Sequence, residues 1–279
     1  MKEREAKYFD THCHIDFSHF DRDREEVIKR AKDMGVVYIV DVGIDVETTK
    51  KAIELAEKYE FIYASAGIHP SEVNNSSENA LNEIETLAKN KKVVAIGEIG
   101  LDYHYSGMIK EKQKEFFKAQ IEIARKLNLP LIIHQRESKE DLIKILEESD
   151  LPEKIVFHCF GGDEDLAKYC EERGFYISFT GIVTFKNAIK VKEIAKNYPV
   201  EKIMAETDAP FLSPHPFRGK RNEPMFVKYI VKEIAELKGV NLEKISEIIF
   251  SNSLHFFKLT PGVQQLTNNS QLNYNKKTW

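Results

Sequence analysis

The sequence contains no apolar run near the roughly 18 residues that a membrane-spanning helix needs, so no membrane partner is expected. It begins Met1-Lys2-Glu3-Arg4-Glu5, a charged stretch without an apolar signal region, and the expectation is a protein that is not secreted. Cysteine is scarce. The three residues Cys13, Cys159 and Cys170 are odd in number and have the spacing of neither a disulfide framework nor a zinc knuckle. Reduced, mostly buried thiols in a cytoplasmic protein are the expectation. A positive surplus is also missing: 41 Lys and Arg face 45 Asp and Glu, a formal net charge of −4. Attraction to nucleic acid would have to come from a local basic patch or from metal ions.

What is present is an ordinary globular composition, 42% hydrophobic and 31% charged over 279 residues, enough for one large core. Short Val-, Ile- and Phe-rich runs alternate with segments of helical period. The runs Tyr8–Ile15, Val36–Gly43, Ile62–His69, Val93–Gly100, Leu131–Gln135, Ile155–Phe160, Phe175–Gly181 and Ile203–Asp208 read as eight strands. Between them, Val27, Ile28, Ala31 and Met34 share one helical face. Leu81, Ile84, Leu87 and Ala88 share another, and Phe117, Ile121, Ala124 and Leu127 a third. Gly35, Gly174 and Gly239 stand where helix C-caps belong, and Pro130 stops a helix before the fifth strand. Strand–helix alternation means parallel pairing, in either an open doubly wound sheet or a closed (β/α)₈ TIM barrel. Polar residues end many of these strands, and only a barrel brings all strand C-termini to one mouth. The expected fold is therefore a single α/β (β/α)₈ barrel over residues 1–259, with its active site at the C-terminal ends of the strands. The Asn-, Gln- and Thr-rich segment 260–279 is expected to be a mobile tail.

The chemistry lies at those strand ends. In Asp10-Thr11-His12-Cys13-His14, alternation turns both imidazoles inward and Cys13 toward the helices, so one metal ion can take both rings. Glu98 ends Val93-Val94-Ala95-Ile96-Gly97, where a carboxylate is costly to bury unless paired or bound to metal. His134 follows Leu131-Ile132-Ile133, and His158 follows Ile155-Val156-Phe157. One such histidine is more often structural; two on neighbouring strands read as a second pair of nitrogen ligands. Glu206 and Asp208, two apart, share a side of the eighth strand. Asp208 reads as a ligand and base, and the deeper Glu206 as a residue that either orients a ligand from behind or pairs with a buried cation. Four imidazoles and two carboxylates can hold two divalent ions roughly 3.5–4 Å apart with Glu98 between them, suited to hydrolysis of a phosphate ester or an amide. Imidazole-rich ligation suits Zn or Mn. After the eighth strand, Arg218, Lys220 and Arg221 surround Gly219, where barrels often bind phosphate, and Arg136 points to the same mouth.

Together these motifs resemble one family. Asp10-Thr11-His12-Cys13-His14, Gly67-Ile68-His69-Pro70, Gly97-Glu98-Ile99-Gly100-Leu101-Asp102-Tyr103 and Leu129-Pro130-Leu131-Ile132-Ile133-His134 come in order. His158-Cys159-Phe160, Glu206-Thr207-Asp208-Ala209-Pro210 and Arg218-Gly219-Lys220-Arg221-Asn222-Glu223-Pro224 complete a set similar to the TatD-like deoxyribonucleases, among the amidohydrolase-type metal-dependent hydrolases. The resemblance implies a nuclease that hydrolyses DNA phosphodiester bonds. It implies that His12, His14, Glu98 and Asp208 bind one ion and that Glu98, His134 and His158 bind the other, with Mg as a further candidate metal. Glu98 stands where related amidohydrolases carry a modified lysine, which argues against a dihydroorotase-like or phosphotriesterase-like site. Gly161-Gly162 departs from the family's frequent Ser-Gly, and Glu137 from its frequent Asp. On this reading Glu98 and Asp208 are the catalytic carboxylates, and Arg218, Lys220, Arg221, His69 and Arg136 contact DNA, with no obligate protein partner. Two other readings are hydrolysis of a small phosphoester, ester or amide at the same site, and non-catalytic nucleic-acid binding.

Overall fold

The computed structural model describes residues 6–77, 79–104, 107 and 109–260. The expected tail therefore lies, apart from Thr260, outside the described residues. Eight parallel strands follow one another around a nearly closed barrel in chain order: β1 (Tyr8–Cys13), β2 (Val36–Val42), β3 (Ile62–Ala66), β4 (Val93–Asp102), β5 (Leu131–Arg136), β6 (Ile155–Phe157), β7 (Tyr176–Phe179) and β8 (Ile203–Ala205). The helices α1 (Arg24–Asp33), α2 (Val46–Lys58), α3 (Ala80–Leu87), α4 (Lys110–Leu127), α5 (Lys139–Glu148), α6 (Glu164–Glu172), α7 (Ile189–Asn197) and α8 (Val227–Lys238) alternate with them, and α9 (Leu242–Phe256) follows α8. The predicted faces are the buried ones: Val27, Ile28 and Ala31 on α1, Ile84 on α3, and Phe117, Ile121 and Ala124 on α4. Gly35, Gly174 and Gly239 take positive φ just beyond α1, α6 and α8.

Alternation along each strand divides the core in two. Ile39, Leu131, Ile133, Ile155, Phe157, Ile177, Ile203 and Ala205 pack outward against the helices. Tyr38, Val40, Val42, Ile132, Val156, Tyr176 and Met204 pack together inside the barrel. Phe256 and Phe257, at the end of α9, join this inner layer, and Asn252 of α9 donates to the carbonyls of Val200 and Ile203 at the start of β8. Helix α9 thus plugs the N-terminal end of the barrel. At the other end, two residues on from Ile132, Val156 and Met204, the inward positions are His134, His158 and Glu206.

Closure between β8 and β1 uses both backbone and side chains. Asp208 N–H donates to His12 O at 2.9 Å and His14 N–H to Ala209 O at 2.8 Å. The buried Asp10 carboxylate accepts from Thr207 N–H at 2.8 Å and Thr207 Oγ1 at 2.5 Å, and Thr11 Oγ1 donates to Ala205 O at 3.0 Å. An open sheet would separate β1 from β8; here the two edges are joined.

Several strand ends differ from expectation, for one reason. Ladder pairing stops where the chain turns to present side chains at the mouth. β3, β6 and β8 end before His69, His158 and Asp208, and Cys159 and Asp208 take positive φ of 46° and 55°. Because β8 ends at Ala205, Glu206 and Asp208 do not share a strand face. In the opposite sense, β4 runs two residues past Gly100 to Asp102, pairing Leu101 with Gln135 and Asp102 with Arg136.

Candidate metal centre

Glu98 stands at the middle of the mouth and divides its two carboxylate oxygens between two groups of imidazoles. Oε2 lies 3.4 Å from His12 Nε2 and 4.0 Å from His14 Nε2. Oε1 lies 2.6 Å from His158 Nε2, 2.8 Å from His134 Nδ1 and 3.4 Å from His69 Nε2. Asp208 Oδ1 completes the first side, 3.5 Å from His14 Nε2 and 3.8 Å from His12 Nε2. The ligating atoms of His12, His14 and Asp208 fall within 4.8 Å of one another, and so do those of His69, Glu98 and His134. A third such set, His12, His158 and Glu206, lies deeper. All six residues of the expected metal set therefore converge, from five strands.

Neighbouring groups fix which ring nitrogen faces the centre. His14 Nδ1 is 2.9 Å from Val42 O, so it is the donor there and Nε2 turns inward with its lone pair. His134 Nε2 is held by Asp102 Oδ2 at 3.0 Å, which leaves Nδ1 toward Glu98. Ser71 holds His69 Nδ1, leaving Nε2 to face Glu98. Glu206 accepts from Cys159 N–H at 2.7 Å and Ser178 Oγ at 2.6 Å, and its Oε1 sits 3.3 Å behind His158 Nδ1 without hydrogen-bond geometry. Glu206 thus lies behind the His158 ring, on the side away from Glu98.

Burial alone would raise the Glu98 carboxyl. The charge of His158, then His69, the approach of His12 and a hydrogen bond from His134 instead hold it well below the usual carboxylate range. Burial works against a proton on His158, but Glu98 and Glu206 push its pKa well up. For His12 and His69 burial dominates and lowers the pKa, favouring the neutral, ligating form. Burial also opposes ionisation of Asp208, yet His14 and His12 keep its pKa below the usual value.

The donor set fits divalent cations. Both ring nitrogens of His12 are buried and have no hydrogen-bond partner. A buried imidazole in that state carries a desolvation cost that a coordinated ion removes. Nitrogen and carboxylate donors in this ratio match Zn, Mn and related divalent ions.

The expected substrate contacts fare differently. His69 stands against Glu98 and His134 rather than out in the mouth, so its geometry is that of a ligand. Arg136 lines a cavity of about 470 Å³ that opens beside His158, Cys159 and Phe160. Arg218 and Lys220 are exposed, with the Arg218 guanidinium 4.4 Å above the Phe185 ring. Arg221 does not present a free cation. Its two terminal nitrogens reach Asp23 at 2.8 and 2.7 Å, one also donates to His19 O at 2.8 Å, and Glu223 lies 3.3 Å away. Arg30 in turn makes a two-pronged pair with Glu223, each bond 2.8 Å. The residue that the sequence reading passed over is Asp102. Its signal was present, an acid ending the apolar run Ile99-Gly100-Leu101, but the strand was read as stopping at Gly100. The three cysteines are unpaired, with Cys13 and Cys170 buried, as expected. No helix among the described residues is long and apolar enough to cross a membrane.

Comparison with known proteins agrees with this geometry. The model of the family described as TatD related DNase matches residues 9–258. The chain is 48% identical over 253 residues to the uncharacterized metal-dependent hydrolase YabD of Bacillus subtilis, covering 90% of this chain and 99% of that one. It is 34% identical to the uncharacterized metal-dependent hydrolase YcfH of Escherichia coli K12, covering 90% and 95%. The crystal structure of YjjV, a TatD homolog from E. coli K12, superposes with a TM-score of 0.86 at 30% identity, covering 91% and 98%.

Proposed function

The chain belongs to the TatD related DNase family of metal-dependent hydrolases, and from that premise we propose that it is a deoxyribonuclease that cleaves phosphodiester bonds at a two-ion centre in the cytoplasm. One observation carries the reading: Glu98 turns one oxygen to His12 and His14 and the other to His134 and His158, the arrangement of a carboxylate between two cations. His12, His14, Glu98 and Asp208 would hold one ion and Glu98, His134 and His158 the other, with His69 beside the second. Divalent ions held there would supply Lewis acidity toward a phosphoryl oxygen and would lower the pKa of an attacking water.

The protein's own groups do the rest. Asp208 is held ionised by His14 and His12, and its side chain is 14% exposed where the other carboxylate of the centre is 5% exposed. On this reading it would take the proton of the attacking water. Asp102, hydrogen-bonded to His134, would keep that ring turned inward, and the Glu206 carboxylate 3.3 Å behind His158 would favour the same orientation by its charge, so the site would need little rearrangement during reaction. Arg136, which lines the cavity beside His158, and the exposed Arg218 and Lys220 would contact the DNA backbone.

The test is release of nucleotides from end-labelled single- and double-stranded DNA with Mg, Mn, Zn or a chelator, comparing wild type with Glu98→Gln. Metal-dependent release that disappears in the variant is the expected result. A second reading, hydrolysis of a small phosphoester, ester or amide, draws on the neutralisation of Arg221 and Arg30 by Asp23 and Glu223. It becomes the better one if metal-loaded wild type cleaves a generic small phosphoester but no DNA.

A further inference from the structure

The mouth carries a feature that the metal chemistry does not use. A chain of aromatic rings leads outward from the first imidazole group. Phe17 stacks on His14 with centroids 4.6 Å apart and planes 21° apart. Phe211 meets Phe17 edge-on at 6.4 Å and His19 at 5.9 Å. The Phe211 side of this chain is open, the residue being 46% exposed. A lone exposed phenylalanine is ordinary on a protein surface. This one differs in two respects: it adjoins the reacting centre, and it is held rigidly there.

The rigidity can be traced bond by bond. Phe211 N–H donates to Asp208 O at 2.9 Å, which ties the ring's position to a candidate ligand three residues away. The fully buried Asn222 donates from Nδ2 to Thr207 O at 2.8 Å and Phe211 O at 2.5 Å, and its N–H donates to Pro210 O. On the facing loop, Arg24 donates to the carbonyls of Ile15, Asp16 and Phe17. Arg221 then lashes the two loops together, gripping His19 O and Asp23 on one while lying on the other. The cation expected to clamp phosphate instead holds the aromatic loops in register.

We propose that Phe211, backed by Phe17 and His19, is a stacking platform for an unpaired nucleobase of the substrate, placed so that a phosphate at the His14–Asp208 side of the centre has its neighbouring base over the Phe211 ring. The inference rests on the nuclease reading above and deepens it. A base can lie on a side chain only when one of its faces has no stacked neighbour, as at the end of a strand, and an unpaired end can move onto the ring without breaking a base pair. Every base has a π face, so the platform accepts any of the four and contributes affinity without reading sequence. The −4 net charge makes such a contact more valuable, because the phosphate backbone gains little from the protein's overall field.

The experiment uses a single-stranded oligonucleotide with phosphorothioate linkages, which slow cleavage, and 2-aminopurine at its last position, placed at either end in two versions. Stacking quenches the fluorophore. Quenching by metal-loaded wild type, loss of it in Phe211→Ala with about 10- to 100-fold weaker binding, and its retention in Phe211→Tyr are expected. The same oligonucleotide with an abasic last position should bind wild type more weakly than the parent, and Phe211→Ala no differently from it. Equal quenching in wild type and Phe211→Ala, or equal binding of abasic and parent strands by wild type, overturns the platform. Nucleotide release from the unmodified strand by the same preparations separates the two readings. Release without a change in quenching removes the platform and leaves the nuclease; no release from any DNA removes the nuclease.

Discussion

Asp102 Oδ2 lies 3.0 Å from Nε2 of His134, on the far side of the imidazole from Glu98. The pair fixes the ring's orientation and supports its basicity toward the centre, as carboxylates behind metal-binding histidines do. Asp102→Asn keeps the shape but can present an amide N–H to the ring. We expect about 10- to 100-fold lower metal affinity or activity with little change in fold, measured by metal titration and by initial rates over a range of metal concentration. An Asn variant with wild-type affinity and rate would mean that Asp102 does not orient His134.

Metal binding should stabilise the folded chain only when Glu98 is ionised. At a free ion concentration about 100 times the dissociation constant, one site adds about 2.7 kcal/mol to unfolding. Wild type should show a corresponding rise in thermal midpoint with Mn or Zn, reversed by chelator, and Glu98→Gln should show little of it. Equal midpoint shifts in the two proteins would place the bound ion elsewhere.

The loop tie between Arg221 and Asp23 has a pH signature. Hydrogen bonds from Arg221, with help from Arg30, hold the Asp23 carboxyl at about 2, below its ordinary 3.8. A carboxyl lower in the folded than in the unfolded state adds stability above the unfolded value and loses it as pH falls through the folded one. The contribution should therefore be complete at neutral pH, shrink below about pH 4 and be gone near pH 2. Both side chains are about a third exposed, so the gap between wild type and Asp23→Asn should be about 1 kcal/mol or less. Unfolding midpoints across that range measure it; a gap that stays constant with pH would assign the effect to something other than ionisation.

Gly100 allows β4 and β5 to pair beside His134. It has φ of +141°, and a Cβ there would stand 2.0 Å from His134 O. Gly100→Ala should cost on the order of 3 kcal/mol in denaturant unfolding and weaken metal binding as His134 is displaced. A loss under about 0.5 kcal/mol, within the range of ordinary surface changes, would show that the strand pair moves apart freely at this point.

How far the sequence could be read depends on where its signals are local. Alternation turned His12 and His14 to one side of the first strand and Cys13 to the other, where it packs in the outer core, and an apolar run ending in histidine or glutamate marked the mouth. Both are patterns within a few residues. Strand ends were harder, because Cys159 and Asp208 leave the ladder through left-handed conformations that non-glycine residues rarely adopt. Asp102 was hidden by a strand that continues past two glycines. Arg221 was misjudged for a different reason: its cluster looked like an anion clamp, but its partner Asp23 is 198 positions away, and no local pattern records that pairing.

The joining of the first and last strands has a consequence in time. His12 and His14 leave the ribosome early, and Asp208, the third member of their group, almost two hundred residues later. Backbone bonds from Asp208 to His12 and from His14 to Ala209 form only when β8 seats against β1. A nascent or truncated chain that stops short of Asp208 therefore carries two of the three members of this group and no complete centre. Assembly of this group requires that the barrel has closed.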